Sequence, residues 1–145
     1  MQTFTYSDAG LALTKSFEGL RLTAYQDCAG VWTIGYGHTG PGVHEGQTIT
    51  EFEAEALLRT DLAAAVACVN RAVTEAITQP QFDALVDFCF NAGRGSFLGS
   101  TLLRLINAGD PSAAVAQFGL WVHAGGAVVA GLVRRRKAEA DLFVS

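Results

Sequence analysis

The run Phe17-Glu18-Gly19-Leu20-Arg21-Leu22-Thr23-Ala24-Tyr25-Gln26-Asp27-Cys28-Ala29-Gly30-Val31-Trp32-Thr33-Ile34-Gly35-Tyr36-Gly37-His38-Thr39-Gly40 differs in texture from the rest of the 145-residue chain. Its glycines, its aromatics and the alternating patch Val31-Trp32-Thr33-Ile34-Gly35-Tyr36 predict short strands joined by hairpin turns. Upstream, Ser7 is placed to cap a short helix through Phe17, with Gly19 as its C-terminal stop. Downstream, Thr50-Glu51-Phe52-Glu53 has the pattern of a capping box and predicts a long helix to about Arg71, with Leu58, Leu62, Val66 and Val69 on the helical period. Pro80 suits the first turn of a helix carrying Phe82, Leu85, Val86 and Cys89 and ending near Gly93. Ser100 caps Leu102 to Asn107, Asp110-Pro111 opens a helix through Trp121 that Gly125-Gly126 stops, and a last helix runs from about Gly131 to Phe143. Strands and helices are segregated, so the predicted class is α+β. The expected layout is a single domain over residues 1–145: a small β-hairpin lobe at about 20–50, then a long helix into a larger helical lobe at about 51–145, which also takes in the N-terminal helix. A cleft is expected between the two lobes.

Composition removes several alternatives. Half the chain is apolar (50%) and 17% is charged, with a net charge of −4, which excludes global disorder and the collagen and coiled-coil classes. The longest nearly apolar run, Ala124 to Val133, is ten residues with three glycines, whereas a membrane span needs roughly 20 residues. The first twenty residues have neither a basic n-region nor an apolar h-region, so no secretory signal is expected and the protein starts in the cytoplasm. Three cysteines (Cys28, Cys68, Cys89) are then read as reduced thiols. Charge is uneven: residues 1–93 carry 4 basic and 11 acidic side chains, net −7, and residues 94–145 carry 6 and 3, net +3. Four of those six form the run Arg134-Arg135-Arg136-Lys137, read as solvated on a helix, which in an acidic protein is weak evidence for a nucleic-acid partner, and none is expected.

The chemistry concentrates in the opening run. Glu18 stands at the C-terminal end of the first predicted helix, where the helix dipole and partial burial both favour the protonated carboxyl that a general acid needs. Asp27 lies nine residues on in the wetter β region, and two carboxyl groups in unlike environments form the glycosidase pattern. Thr33 adds a strand hydroxyl able to hold a water as donor and acceptor. Gly35-Tyr36-Gly37-His38-Thr39-Gly40 matches G-x-G-x-x-G, but Pro41-Gly42 follows at once and no helix opens, so it is not a nucleotide loop. His38, His44, His123 and Cys28 have no metal-ligand spacing, and no nucleophile elbow occurs. His38 is read as a hydrogen-bonded structural histidine.

Glu18-Gly19-x-Arg21-x-x-Ala24-Tyr25-x-Asp27-x-x-Gly30-x-x-Thr33-Ile34-Gly35-Tyr36-Gly37-His38-Thr39 closely resembles the signature of the phage-type lysozymes, the endolysins of glycoside hydrolase family 24. The resemblance continues through Leu57-Leu58-x-x-Asp61-Leu62, Gln81-Phe82-Asp83-Ala84-Leu85, Phe90-Asn91-Ala92-Gly93, Gly99-Ser100-Thr101-Leu102-Leu103-Arg104 and Gly131-Leu132-Val133-Arg134-Arg135-Arg136. It implies a lysozyme-like fold and a monomeric muramidase without cofactor or metal. The enzyme would cleave the β-1,4 bond between N-acetylmuramic acid and N-acetylglucosamine in peptidoglycan. Glu18 would be the general acid, and Asp27 and Thr33 would position and activate water on the opposite face of the sugar, or Asp27 would steady the developing oxocarbenium charge; the resemblance favours inversion, which the carboxylate separation decides and the sequence does not give. Phe90 and Asn91 would line the saccharide site, with Ser100 a third candidate. No signal-anchor helix is seen and none of the chain is expected to insert in a membrane. The implied route is therefore from the cytoplasm of a Gram-negative host to the wall through a holin-type pore.

Two expectations come from the residues themselves. The positive half could help to hold the anionic wall polymer, and one arginine of Arg134–Arg136 would pair with Glu18. The competing functional readings are a lytic transglycosylase, which Asp27 and Thr33 disfavour, and a catalytically inactive wall-binding module, which an intact set of three disfavours.

Overall fold

The computed structural model describes residues 3–145; the reading of the N-terminus also takes in Met1 and Gln2, which lie outside the described residues. Helix α1 (Asp8–Glu18) begins where the sequence placed its cap. Ser7 Oγ accepts the Gly10 amide proton at 3.3 Å, while its hydroxyl and its own amide both donate to the buried Asp83 carboxylate. Three antiparallel strands follow in sheet order, β1 (Arg21–Gln26), β2 (Trp32–Gly35) and β3 (His38–Thr39). Tyr25 stands opposite Thr33, and Thr33 opposite Thr39.

The β1–β2 register breaks between Arg21, opposite Gly35, and Tyr25, opposite Thr33. The intervening residues of β1 turn to a different neighbour. Thr23 bridges Thr48, the Ala24 amide donates to Gln47 O at 2.9 Å, and Leu22 O accepts from the Ile49 amide at 2.9 Å. Irregular pairing of this kind bends a strand and re-aims its side chains.

Helix α2 (Glu51–Ala72) opens with the expected capping box: Thr50 Oγ1 accepts from the Glu53 amide at 3.1 Å, and Glu53 Oε1 accepts from the Thr50 amide at 3.0 Å. Helix α3 (Gln79–Ala92) carries a second box, Thr78 with Gln81, ahead of the Pro80 that the sequence places in its first turn. A short α4 (Arg94–Leu98), α5 (Thr101–Asn107), α6 (Pro111–Val115) and α7 (Ala130–Phe143) complete the helices. Between α6 and α7 lie strands β4 (His123–Ala124) and β5 (Ala127–Val128). They pair across Gly125-Gly126, both at positive φ (59° and 80°), as a two-residue hairpin requires.

Two sequence expectations change here. The helix from Pro111 through Trp121 stops at Val115 and resumes as a 3-10 turn over Phe118–Leu120. In 3-10 geometry side chains three apart fall in line. Phe118 and Trp121 both make T-shaped contacts with the Phe88 ring, at 5.8 and 5.5 Å between centroids. The glycine pair expected only to stop a helix instead forms the β4–β5 turn.

The chain divides into two compact units, Thr14–Ala63 and Met1–Leu13 with Ala64–Ser145. The second has an aromatic core in which Phe88 also packs edge-on against Phe97, and Phe118 against Phe143. Cys68 and Cys89 are buried free thiols and Cys28 an exposed one. Burial, with Cys68 beside it, pushes the Cys89 thiol up to about 12, so it is an inert core residue at neutral pH.

Helices α3 and α7 also meet through buried charge. Arg135 grips Asp87 with two parallel bonds, Nε to Oδ2 at 2.9 Å and Nη2 to Oδ1 at 2.8 Å. Arg136 Nη2 donates to Asn91 Oδ1, and Arg136 Nε lies 3.1 Å from Glu139 Oε1. Glu139 is 0% exposed, and burial, then the neighbouring Asp87 carboxylate, pushes its carboxyl up to about 10. An unfolded glutamate ionises near 4.5. Between these two values the unfolded chain has released a proton that the folded chain keeps, so this group makes stability fall as pH rises. Glu139→Gln keeps the shape and removes the titration. The Tm of the variant should therefore fall less than that of wild type between about pH 5 and about pH 9; parallel Tm curves would contradict the neutral buried acid.

Candidate active site

Glu18, Asp27 and Thr33 all belong to the unit Thr14–Ala63. Glu18 is the last residue of α1 and is half-buried. Its Oε1 lies only 3.3 Å from where a Cβ would stand on Gly37, in the turn between β2 and β3. Gly37 holds φ +82°, so the turn uses glycine both for its backbone conformation and for the room it leaves the carboxyl. The G-x-G-x-x-G run is thus a hairpin whose middle glycine accommodates Glu18.

Asp27 closes the β1–β2 turn. Its Oδ1 accepts from the amides of Ala29 at 2.8 Å and Val31 at 2.9 Å. Its own amide donates to Val31 O at 3.0 Å, and its carbonyl accepts from Gly30 at 2.9 Å. Oδ1 is therefore committed to the backbone, and Oδ2 makes no hydrogen bond among the described residues. Asp27 itself is exposed. Thr33, in the centre of the sheet and 4% exposed, donates its hydroxyl proton to Val31 O at 3.0 Å. Its oxygen keeps lone pairs to accept with. Val31 thus ties the two residues together: its amide fixes Asp27 and its carbonyl takes the Thr33 proton.

Around this centre, His38 Nδ1 lies 2.9 Å from Asp61 Oδ2 and 3.0 Å from Oδ1, both groups half-buried. That agrees with the structural role read for His38. Lys15 and Arg59 both pair with Glu55. The Arg21 guanidinium lies over the Tyr25 ring, 4.4 Å from its centroid. Sequence reasoning missed this stack, because residues four apart on a regular strand are about 13 Å apart.

The other proposed site residues lie in the other unit. Phe90 is half-buried near the end of α3. Asn91 accepts from Arg136 and lines an open depression of about 430 Å³ with Ser96, Trp121 and His123. Ser100 is 6% exposed, and its hydroxyl donates to Phe97 O at 2.7 Å and accepts from the Leu103 amide at 3.1 Å. It caps α5 and borders a separate depression of about 510 Å³. Of the arginines expected beside Glu18, Arg135 is held by Asp87, Arg136 by Asn91 and Glu139, and Arg134 is exposed.

Gly37→Ala should cost about 1–2 kcal/mol of stability for the left-handed backbone alone. It should also displace the Glu18 carboxyl. Urea unfolding measures the first effect; a variant as stable as wild type would contradict the strained turn.

The family model for phage lysozyme matches residues 15–139. The endolysin of Bacillus phage PZA is 48% identical over 141 residues, 96% of this chain and 55% of the relative. This chain thus spans about half the length of that endolysin and of its counterpart in Bacillus phage B103, which it covers to 54%. The endolysin of Acyrthosiphon pisum secondary endosymbiont phage 1 is 46% identical, over 96% of this chain and 97% of its own. Among solved structures, a mutant of P22 lysozyme matches with TM-score 0.91 and 39% identity over 98% of this chain and 99% of that one. The muramidase domain of SpmX from Asticaccaulis excentricus matches with TM-score 0.89 and 46% identity, over 97% and 98%. The fold is α+β and lysozyme-like, and the chain belongs to the phage lysozyme family.

Proposed function

We propose that residues 1–145 work as one monomeric catalytic domain, a muramidase that hydrolyses the β-1,4 bond between N-acetylmuramic acid and N-acetylglucosamine in peptidoglycan. The observation that carries this reading is the division of labour at the β1–β2 turn, in a chain of the phage lysozyme family. Asp27 spends one carboxylate oxygen on the backbone and leaves the other for a proton. Thr33 gives its proton to Val31 and leaves its oxygen as an acceptor. A water between them would donate one hydrogen to Asp27 Oδ2 and the other to Thr33 Oγ1, turning its lone pair toward the anomeric carbon. Glu18 would protonate the leaving glycosidic oxygen as the C–O bond breaks. Direct attack by water inverts the anomeric centre. Phe90 and Asn91, with Ser100 as third candidate, are proposed to contact the saccharide.

In its biological setting, the proposal is release of phage progeny by host lysis, from the host cytoplasm through a holin-type pore. Among the described residues no helix is long and apolar enough to cross a membrane, which is compatible with that route.

The test is clearing of outer-membrane-permeabilised Gram-negative cells, with the released muropeptides reduced and weighed by mass spectrometry. Wild type should clear the suspension and leave reducible muramic acid ends. Glu18→Gln should be slower by about 10²–10⁴, the usual contribution of a positioned general acid. Anhydro ends would identify a lytic transglycosylase instead. Failure of folded wild type to clear would favour a wall-binding module.

A further inference from the structure

The unit Thr14–Ala63 holds three basic side chains among seven acidic ones. Lys15 and Arg59 are both committed to Glu55. Among the described residues Arg21 has no acidic partner: its guanidinium rests on one face of the Tyr25 ring, 4.4 Å from the centroid, and the residue is exposed. An arginine free to move would gain little by staying there, since an exposed cation–π contact is weak, roughly 0.5–1 kcal/mol. The fold brings the two together through the broken register of β1, where Leu22 and Ala24 bond to Ile49 and Gln47 and the strand bends. Irregularities of this sort re-aim side chains beside active sites.

What Arg21 is aimed at follows from the register. Tyr25 stands directly opposite Thr33, and Asp27 is two residues further along the same strand direction. Directly opposed residues have Cβ atoms about 4.5–5.5 Å apart. The guanidinium therefore sits one ring away from the hydroxyl proposed to hold the attacking water. The ring holds the guanidinium on one side, and the residue is otherwise exposed. A planar fork of donors with no protein anion matches a carboxylate.

We propose that Arg21, held over Tyr25, is a specificity-determining residue that binds a free carboxylate on the peptide stem of the substrate. This rests on the muramidase reading, and it adds that the site distinguishes an acidic wall polymer from the same polymer made neutral. The unit is acidic by count, with Lys15 and Arg59 both paired to Glu55, so Arg21 is the basic side chain there left for an anionic group.

The proposal is tested by binding in the Glu18→Gln background, so that turnover does not enter. The probes are purified sacculi and sacculi whose carboxylates have been converted to amides. Sedimentation gives the bound fraction at low and at moderate salt. Arg21→Gln should weaken binding to untreated sacculi by about fivefold, the scale of one partly exposed charge-assisted contact. It should leave binding to amidated sacculi unchanged and reduce the salt dependence. Arg21→Lys should recover part of the loss, since it keeps the charge and lacks the fork. Equal weakening on both kinds of sacculi would overturn the proposal and assign Arg21 to holding Tyr25 in place. Unchanged binding to untreated sacculi would overturn it as well. Circular dichroism and Tm of Arg21→Gln show that the strand is intact. Clearing by the Glu18-containing protein, measured alongside, reports separately on the muramidase reading.

Discussion

Five residues of backbone between Asp27 and Val31 constrain the rest of the candidate site. The turn is closed by the side chain of Asp27, which takes two amide protons on one oxygen. Side chains of this type favour such turns because they supply the acceptor that the missing ladder would have supplied. Here the structural bond also has a chemical consequence. It fixes the carboxylate in orientation and leaves a single oxygen for a proton. The Thr33 hydroxyl is fixed by the same residue, through Val31 O. The bonds that build the hairpin are thus the bonds that decide which lone pairs remain for a water.

Much of this was legible because the relevant signals are local. Thr50 with Glu53 and Ser7 before α1 are capping patterns, and both caps form as read. Glu18, Asp27 and Thr33 fall in one unit because the hairpin between them is short and rich in turn residues. The Ser100 hydroxyl was legible in two ways, as a cap and as a saccharide contact. The cap uses its proton and one acceptor position, and only the remaining lone pair is left for a ligand.

What stayed hidden depends on neighbours distant in sequence. The irregular register of β1 is set by residues Gln47 to Ile49, and no pattern within β1 announces it. Beyond the break that follows α6, Phe118 and Trp121 both pack T-shaped against Phe88, some thirty residues earlier. The run Arg134–Arg136 reads as a solvated basic face. In the fold, two of its three members are buried against Asp87, Asn91 and Glu139. Charge counted along a sequence therefore overstates what is available to a polymer outside. Of that run, Arg134 is the exposed arginine. In the acidic unit the opposite holds, since Arg21 is outnumbered in sequence and, among the described residues, has no acidic partner.

The central claim is that water, held by Asp27 and Thr33, is the nucleophile and arrives on the face opposite the leaving group. Hydrolysis of purified peptidoglycan in water enriched in oxygen-18 tests it most directly, with the anomer of the fresh product read by NMR before it equilibrates. The account predicts one heavy oxygen at C1 of each new muramic acid end, formed first as the α anomer. Unlabelled anhydro ends, or a first-formed β anomer, would contradict it.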